Sequence, residues 1–298
     1  MPPRGSALPY ARIRPMRKLV DSLLKQLQDP ARWVALTGAG VSAASGIPTY
    51  RDHSGLWLGS QPIQHQEFIE DPSKRRRYWS RSVFGWPRVG QASPNTTHEA
   101  IAKLETCGVF SGVITQNVDR LHQSAGSHNV IDLHGRLDEV RCLSCRSITS
   151  RTEIQEWLET HNTLPEAASL QLRPDGDAEL PLQWEQGFQV PECYECGGIM
   201  KPEVVFFGGS VPAERVEACY RLIDAADGLV VIGTSLTVYS GFRFCRYAYQ
   251  QGKPLIILNE GETRADPLSR HRCDNNPFGV LIECANTLAS HHAEDCHV

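Results

Sequence analysis

Trp33 to Trp57 reads WVALTGAGVSAASGIPTYRDHSGLW, and the fold turns on this stretch. A short apolar run, Trp33-Val34-Ala35-Leu36, leads through Thr37 into Gly38-Ala39-Gly40. A strand opening into a glycine turn is the start of a nucleotide site. Glycines let backbone N–H groups approach phosphate oxygens, and a following helix offers its positive end. Gly38, Gly40 and Ala43 fit the G-x-G-x-x-A spacing of a dinucleotide fingerprint. Its usual companion is missing, because no acidic residue closes a second strand about twenty residues later. The chain runs instead into Ser45-Gly46-Ile47-Pro48-Thr49-Tyr50-Arg51-Asp52, which fits neither a clean helix nor a strand.

Outward from this stretch, short apolar runs recur. Gly112–Thr115 ends in Gln116-Asn117-Val118-Asp119, and Val130–Leu133 ends in His134-Gly135. Val204–Phe207 returns to strand character. Leu229–Ile232 ends in Gly233-Thr234-Ser235, Leu255–Leu258 ends in Asn259-Glu260-Gly261, and Val280–Ile282 reads as the last strand. Helical patterns lie at residues 16–27, 97–107, 213–226 and 239–251. Continuous apolar runs alternating with helices predict an α/β fold, a Rossmann-like doubly wound parallel sheet. In such sheets ligands bind outside the carboxyl ends of the strands, where five runs here supply small or hydrogen-bonding residues. Residues 53–97 carry Pro62, Pro72, Pro87 and Pro94 and the basic run Lys74–Arg77, and read as irregular with a solvated helical face.

Ten cysteines include two C-x-x-C pairs, Cys142/Cys145 and Cys193/Cys196. Four thiolates in two turn-rich knuckles favour a closed tetrahedral zinc site with no open position for substrate. The second pair is followed by Gly197-Gly198, which suits a tight turn. The intervening residues 146–192 are too many for a plain loop and predict an elaborated module outside the main sheet. The other six cysteines are scattered, which points to a reducing compartment, not a disulfide framework.

The 298 residues are 41% hydrophobic and 21% charged, with a net charge of −4. That composition supports a sizeable core and argues against a dedicated nucleic-acid binder. No apolar run approaches the roughly 18 residues of a membrane span. The first 18 residues hold Arg4, Arg12, Arg14, Arg17 and Lys18 and no acid, which reads as a basic tail, with a transit peptide as the alternative.

Taken together, Gly38 to Arg51 (GAGVSAASGIPTYR), Thr115 to His122 (TQNVDRLH), His134-Gly135, the four cysteines, Gly233-Thr234-Ser235 and Asn259 closely resemble the sirtuin family of NAD-dependent protein deacylases, in the family's order. The long insertion, Tyr78-Trp-x-Arg81 and Tyr50 look most like class II members, the sirtuin 4 type and its bacterial relatives. The resemblance implies NAD as a co-substrate. The acyl-lysine oxygen takes the ribose C1′ as nicotinamide leaves, and O-acyl-ADP-ribose and free lysine result. It implies His134 as general base, with Asn117 and Asp119 completing the catalytic set. Gly38, Ala39 and Gly40 would lie against the pyrophosphate, and Ser42 would also bind the cofactor. Ile47, Pro48, Tyr50, Arg51 and Asp52 would belong to a loop covering the nicotinamide ribose, and Gln116 would orient that end. Gly233, Thr234, Ser235, Asn259, Glu260 and Gly261 would hold the adenine side, with Cys273 near the base. Val205, Phe206, Phe207 and Gly208 would pair with substrate peptide by strand addition, although Gly208-Gly209 stands where many members have Gly-Glu. Structural zinc would sit on Cys142, Cys145, Cys193 and Cys196.

Tyr78 and Arg81, at i and i+3, share a helix face if that segment is helical. The resemblance implies that such a pair receives an acidic acyl group, and the simpler reading is that Arg81 faces solvent or pairs with a protein carboxylate. The expected organisation is a basic tail (1–16), a catalytic domain (17–285) and a frayed tail (286–298). Within the domain, Rossmann-like parts span about 17–52, 98–137 and 203–285, an irregular or helical segment spans 53–97, and the zinc module spans about 138–202. The expected partners are acylated protein lysines, with no nucleic acid and no membrane. The expected protein is a cytoplasmic monomer, with the mitochondrial matrix as the alternative location. Competing functions are a protein mono-ADP-ribosyltransferase, a zinc-containing nicotinamide dehydrogenase and a non-catalytic NAD or ADP-ribose sensor.

Overall fold

In the computed structural model, residues 10–28, 32–49, 62–164 and 185–295 are described. Six parallel strands form the main sheet: β1 (Trp33–Thr37), β2 (Phe110–Thr115), β3 (Val130–Asp132), β7 (Gly228–Ile232), β8 (Leu255–Leu258) and β9 (His271–Cys273), in the order β3-β2-β1-β7-β8-β9. β1, β7 and β8 are buried along their whole length, as continuous apolar runs between two helical layers should be. The pleat divides them. Trp33, Ala35, Val230, Ile232, Ile256 and Leu258 face α1 (Tyr10–Gln28), α5 (Thr96–Thr106) and α10 (Pro277–Asp295), which contribute Leu23, Ile101, Leu104 and Leu281. Val34, Leu36, Leu229, Val231, Leu255 and Ile257 face α8 (Ala213–Asp224) and α9 (Tyr239–Gln250), which contribute Ile223, Phe244 and Ala248. Two outcomes differ from the sequence reading here. Val280–Ile282 lies inside α10, because a three-residue apolar run looks the same in a buried helix as in a strand. The last strand is the short β9, which carries His271 and Arg272 at the sheet edge.

A second, antiparallel sheet of three strands joins β5 (Ile148–Ser150), β4 (Gly135–Cys142) and β6 (Met200–Val204). Val204–Phe207 is therefore not a strand of the main sheet. Val204 ends β6, and Phe207 makes a single bridge to Gln64. The small sheet packs with α7 (Arg151–His161) against α3 (His65–Glu70) and α4 (Pro72–Gln91) through Val140, Ile154, Met200, Phe68, Trp79 and Val83. The prolines of the segment read as irregular do not prevent helix. Pro72 occupies the first turn, where its missing N–H is harmless, and Asp71 caps that turn by accepting from Ser73 N at 2.8 Å. Arg151, 1% exposed, locks α7 to α4. Its guanidinium lies between the rings of Trp79 and Trp86, at 5.4 and 5.3 Å, and donates to the Ser82 carbonyl and hydroxyl at 3.1 Å each.

The junction of the two sheets positions His134. The His134 carbonyl accepts from Val205 N at 2.8 Å, and Gly135 follows at φ +88°. A Cβ on Gly135 would overlap the Glu203 carbonyl oxygen. Gly135→Ala is therefore expected to cost at least about 3 kcal/mol, combining left-handed strain with a backbone clash. A thermal melt would read this as a clear drop, and an unchanged midpoint would show that the junction tolerates a side chain.

Candidate functional site

The strand order reverses between β1 and β7, so the crevice of this sheet opens at their carboxyl ends. There the two glycine turns meet. Gly40 N donates to the Gly233 carbonyl at 2.9 Å, and a Cβ on Gly40 would lie 2.8 Å from that oxygen. A Cβ on Gly38 would lie 2.6 Å from Thr234 Cβ. The glycines at 38 and 40 are thus required by the approach of β1 and β7, which brings bare backbone to the mouth of the crevice.

A cleft of about 1760 Å³ opens from this point. Single small ligands occupy roughly 300–1,000 Å³, so the space suits two substrates. Gly38, Ala39, Gly40, Ser42 and Ile47 line it from the first stretch, and Gln116, Asn117, Asp119 and His134 from β2 and β3. Val205, Phe206, Phe207 and Gly208 also line it, as do Gly233, Thr234, Ser235, Asn259, Glu260 and Gly261. Pro48 is exposed and not on the cleft wall. Tyr50, Arg51 and Asp52 fall outside the described residues. Cys273 does not line the cleft either, since its side chain is 2% exposed and packs in the α1/α5/α10 core. Tyr78 and Arg81 do lie one turn apart on α4, and neither lines the cleft. Tyr78 packs against Phe206 with ring centroids 5.2 Å apart, and Arg81 Nε donates to the Glu185 carboxylate at 3.2 Å.

The polar groups at the strand ends form one network. Asn117 Nδ2 donates to the Gly38 carbonyl and to Ser42 Oγ, both at 3.0 Å, and Ser42 Oγ donates to Asp119 at 2.6 Å. Gln116 Nε2 donates to Thr234 Oγ1 at 3.0 Å and so ties β2 to the β7 turn. Beneath lie two histidines that the sequence left without a role in the cleft. His98 Nε2 is 3.4 Å from Ser42 Oγ, His122 Nε2 is 2.8 Å from Thr37 Oγ1, and their ring centroids are 4.9 Å apart. Burial raises the Asp119 carboxyl above its ordinary value, opposed by the bond from Ser42. Burial also pushes His98 down to about 4, and burial with the neighbouring His98 pushes His122 down to about 3.

These shifts fix a pH dependence of stability. Unfolded histidines titrate near about 6.5, while both rings stay neutral in the folded chain. Between about pH 6.5 and about pH 4 the unfolded chain binds more protons, so stability falls as pH falls. The expected slope is about 1.4 kcal/mol per pH unit for each histidine. Denaturant titrations across that window read it directly, and a flat profile would contradict the buried neutral pair.

His134 stands at the end of β3 with both ring nitrogens engaged. Nδ1 is 3.0 Å from the Gln116 carbonyl oxygen, which can only accept, so Nδ1 carries the proton. Nε2 is then the bare nitrogen, and Ser240 Oγ at 2.7 Å donates to it. Burial lowers the ring to about 4, so it is neutral near pH 7 with a lone pair directed at a cleft-lining hydroxyl. Ser240 had no local signal in the sequence, because the contact arises from α9 packing over a strand end 106 positions away. Phe278, also unforeseen, reaches the cleft from the start of α10.

The four cysteines of the C-x-x-C pairs converge, with all four sulfurs within 4.8 Å of one another. Cys142 and Cys196 Sγ are 3.5 Å apart, and Cys145 and Cys193 Sγ are 3.6 Å apart. A tetrahedron of Zn–S bonds of about 2.3 Å requires sulfurs about 3.8 Å apart, so the donor set fits zinc. Ser144 N points at Cys142 Sγ at 3.4 Å, and a Cβ on Gly198 would press on that sulfur at 2.8 Å.

A glycine cradle at a sheet switch point, beside a tetrathiolate module on an inserted sheet, defines a dinucleotide-binding α/β protein of specialised type. The Sir2 family model matches residues 38–240. The chain is 50% identical over 262 residues to an NAD-dependent protein deacetylase of Xanthomonas axonopodis pv. citri, covering 88% of this chain and 87% of that one. It is 44% identical to NAD-dependent protein deacetylase 3 of Pseudomonas syringae pv. tomato, covering 92% and 98%. Among solved structures it is similar to a Sir2 homologue–NAD complex (TM-score 0.69, 33% identity, covering 91% of this chain and 94% of that one). It is also similar to a Sir2–p53 peptide–NAD+ complex (TM-score 0.71, 30% identity, covering 92% and 98%). The chain belongs to the Sir2 family.

Proposed function

We propose that this chain is an NAD-dependent protein-lysine deacylase. The observation that carries the reading is His134, neutral and in the tautomer that leaves Nε2 bare, in a cleft with room for a dinucleotide and a peptide segment. Bound NAD supplies a cleavable bond between ribose and nicotinamide, so that ADP-ribose becomes the acyl acceptor. Gly38, Ala39 and Gly40 hold the phosphates by backbone contact. Asn117 and Asp119 fix the nicotinamide ribose through the Ser42 network, which limits the orientations open to a weak amide-oxygen nucleophile. His134 takes a ribose hydroxyl proton at Nε2, after Ser240 gives up that position. Gly233, Thr234, Ser235, Asn259, Glu260 and Gly261 hold the adenosine end. Residues 205–208 offer backbone for strand addition by the substrate. Zinc on the four cysteines stabilises the small sheet and takes no part in the chemistry.

The acyl group proposed is acetyl. Glu185 already engages Arg81, so an acidic acyl group would have to displace a protein carboxylate. The names of the bacterial relatives fit this choice. The proposed setting is the bacterial cytoplasm, with the chain acting as a monomer. No helix among the described residues is long and apolar enough to cross a membrane. The test is nicotinamide release from NAD with and without an acetyl-lysine peptide. Release that depends on the acylated peptide is expected, and equal release without it would count against deacylation.

A further inference from the structure

Beside His134, α9 begins with Tyr239 and Ser240, and three arginines gather there. Arg243 Cζ lies 5.4 Å from the Tyr239 ring centroid. Arg264 Cζ lies 4.5 Å from the Phe242 centroid and 5.8 Å from that of Tyr239. Arg246 donates to the Tyr239 hydroxyl at 3.2 Å. Tyr239, Arg243 and Arg264 line the cleft, and Tyr239 is 45% exposed. Among the described residues none of the three guanidiniums has a carboxylate within 4.0 Å, although Glu260 and Glu262 line the same cleft. Arg243 Nε is buried and has no hydrogen-bond partner. The helix itself, YSGFRFCRYAYQ, carries no acid. Aromatic faces hold these cations in place without neutralising them, and Arg264 spends one donor on the Thr237 carbonyl at 3.5 Å, so that among the described residues most donors of the pair remain without an acceptor.

We infer that Arg243 and Arg264 form a specificity subsite for acidic side chains flanking the acyl-lysine of the substrate peptide. The inference rests on the deacylase reading. Its geometry follows from Ser240, which touches the base His134, so the residues next to it on α9 adjoin the acyl-lysine end of the cleft. A peptide lying along Val205–Gly208 shares the cleft with Val238 and Tyr239, and the two guanidiniums lie against the Tyr239 ring. A carboxylate placed there meets planar donor forks, which bind it more tightly than a neutral hydrogen bond would.

The test uses the full chain and a set of acetyl-lysine peptides of one length, with glutamate, alanine or lysine at each flanking position. The readout is the ratio of kcat/KM for acidic over neutral peptides. The best acidic position is expected to give a preference of about tenfold, the scale of one charge-assisted pairing. The preference should shrink as salt is raised and collapse to parity in R243Q/R264Q. A ratio of one in the unsubstituted protein, or a preference that survives both substitutions, overturns the subsite. So does a rise in KM for NAD with the peptide ratio unmoved, which would give the arginines to the dinucleotide. Equilibrium anisotropy with the same peptides labelled reads the ratio without turnover. If no peptide is deacylated, the deacylase reading fails, and the subsite stands or falls on the binding ratio.

Discussion

Replacing His134 with alanine is expected to lower kcat for deacylation by about 10²- to 10⁴-fold, the range that a positioned general base contributes. The expectation rests on the ring's state in the fold. The Gln116 carbonyl fixes the proton on Nδ1, and Nε2 is left to accept. His134 is half-buried, lines the cleft and makes only two ring hydrogen bonds, so its loss should leave the fold standing. Nicotinamide exchange is expected to persist in part, because cleavage at C1′ precedes the step the base serves. As the proposed base, the same ring is expected to set the acid limb of the rate. Burial lowers it to about 4, and a base works only when unprotonated. The limb of kcat/KM should therefore fall towards about pH 4 and not near the ordinary imidazole value of about 6.5. A half-maximal rate near the ordinary value would show that the ring is more hydrated in the working enzyme.

The second large effect is that of metal removal. Structural zinc contributes on the order of 10–16 kcal/mol of apparent binding energy in small zinc peptides. Here Cys142 closes β4 and Cys193 sits beside it, both buried in the core that also contains Val140, Met200 and Phe206. Phe206 lines the cleft, so loss of the metal should propagate from the knuckles to the substrate wall. Chelation, or Cys145→Ala, is expected to release one zinc per chain, lower the melting temperature and abolish deacylation. No zinc ligand position is open to substrate, so cobalt or cadmium held by the same thiolates should restore activity. A metal-free chain with full activity and an unchanged melt would contradict the structural role.

Much of this was legible in residue order. The Trp33–Gly40 run gave a buried strand ending in a glycine turn, and β1, β2, β3, β7 and β8 all lie on apolar runs whose next residues line the cleft. The paired C-x-x-C spacing carried the metal centre intact. The misreadings have physical causes. Val280–Ile282 and Val204–Phe207 are short apolar runs, for which burial says nothing about helix or strand. α4 was obscured by Pro72 and Pro87, though the first sits where a helix accepts proline. Ser240, His98 and the Arg81–Glu185 pair act through contacts between distant residues, with separations of 106, 56 and 104 positions. No local pattern encodes such contacts. They follow only once the two sheets and their helices are packed.

Deacylation is tested most directly by the masses of the products formed from NAD and an acetyl-lysine peptide. Nicotinamide, bare-lysine peptide and acetyl-ADP-ribose are expected in equal amounts, with the last two lost in His134→Ala. A peptide that keeps its acetyl group and gains ADP-ribose, or NAD that is reduced or merely bound, would contradict it.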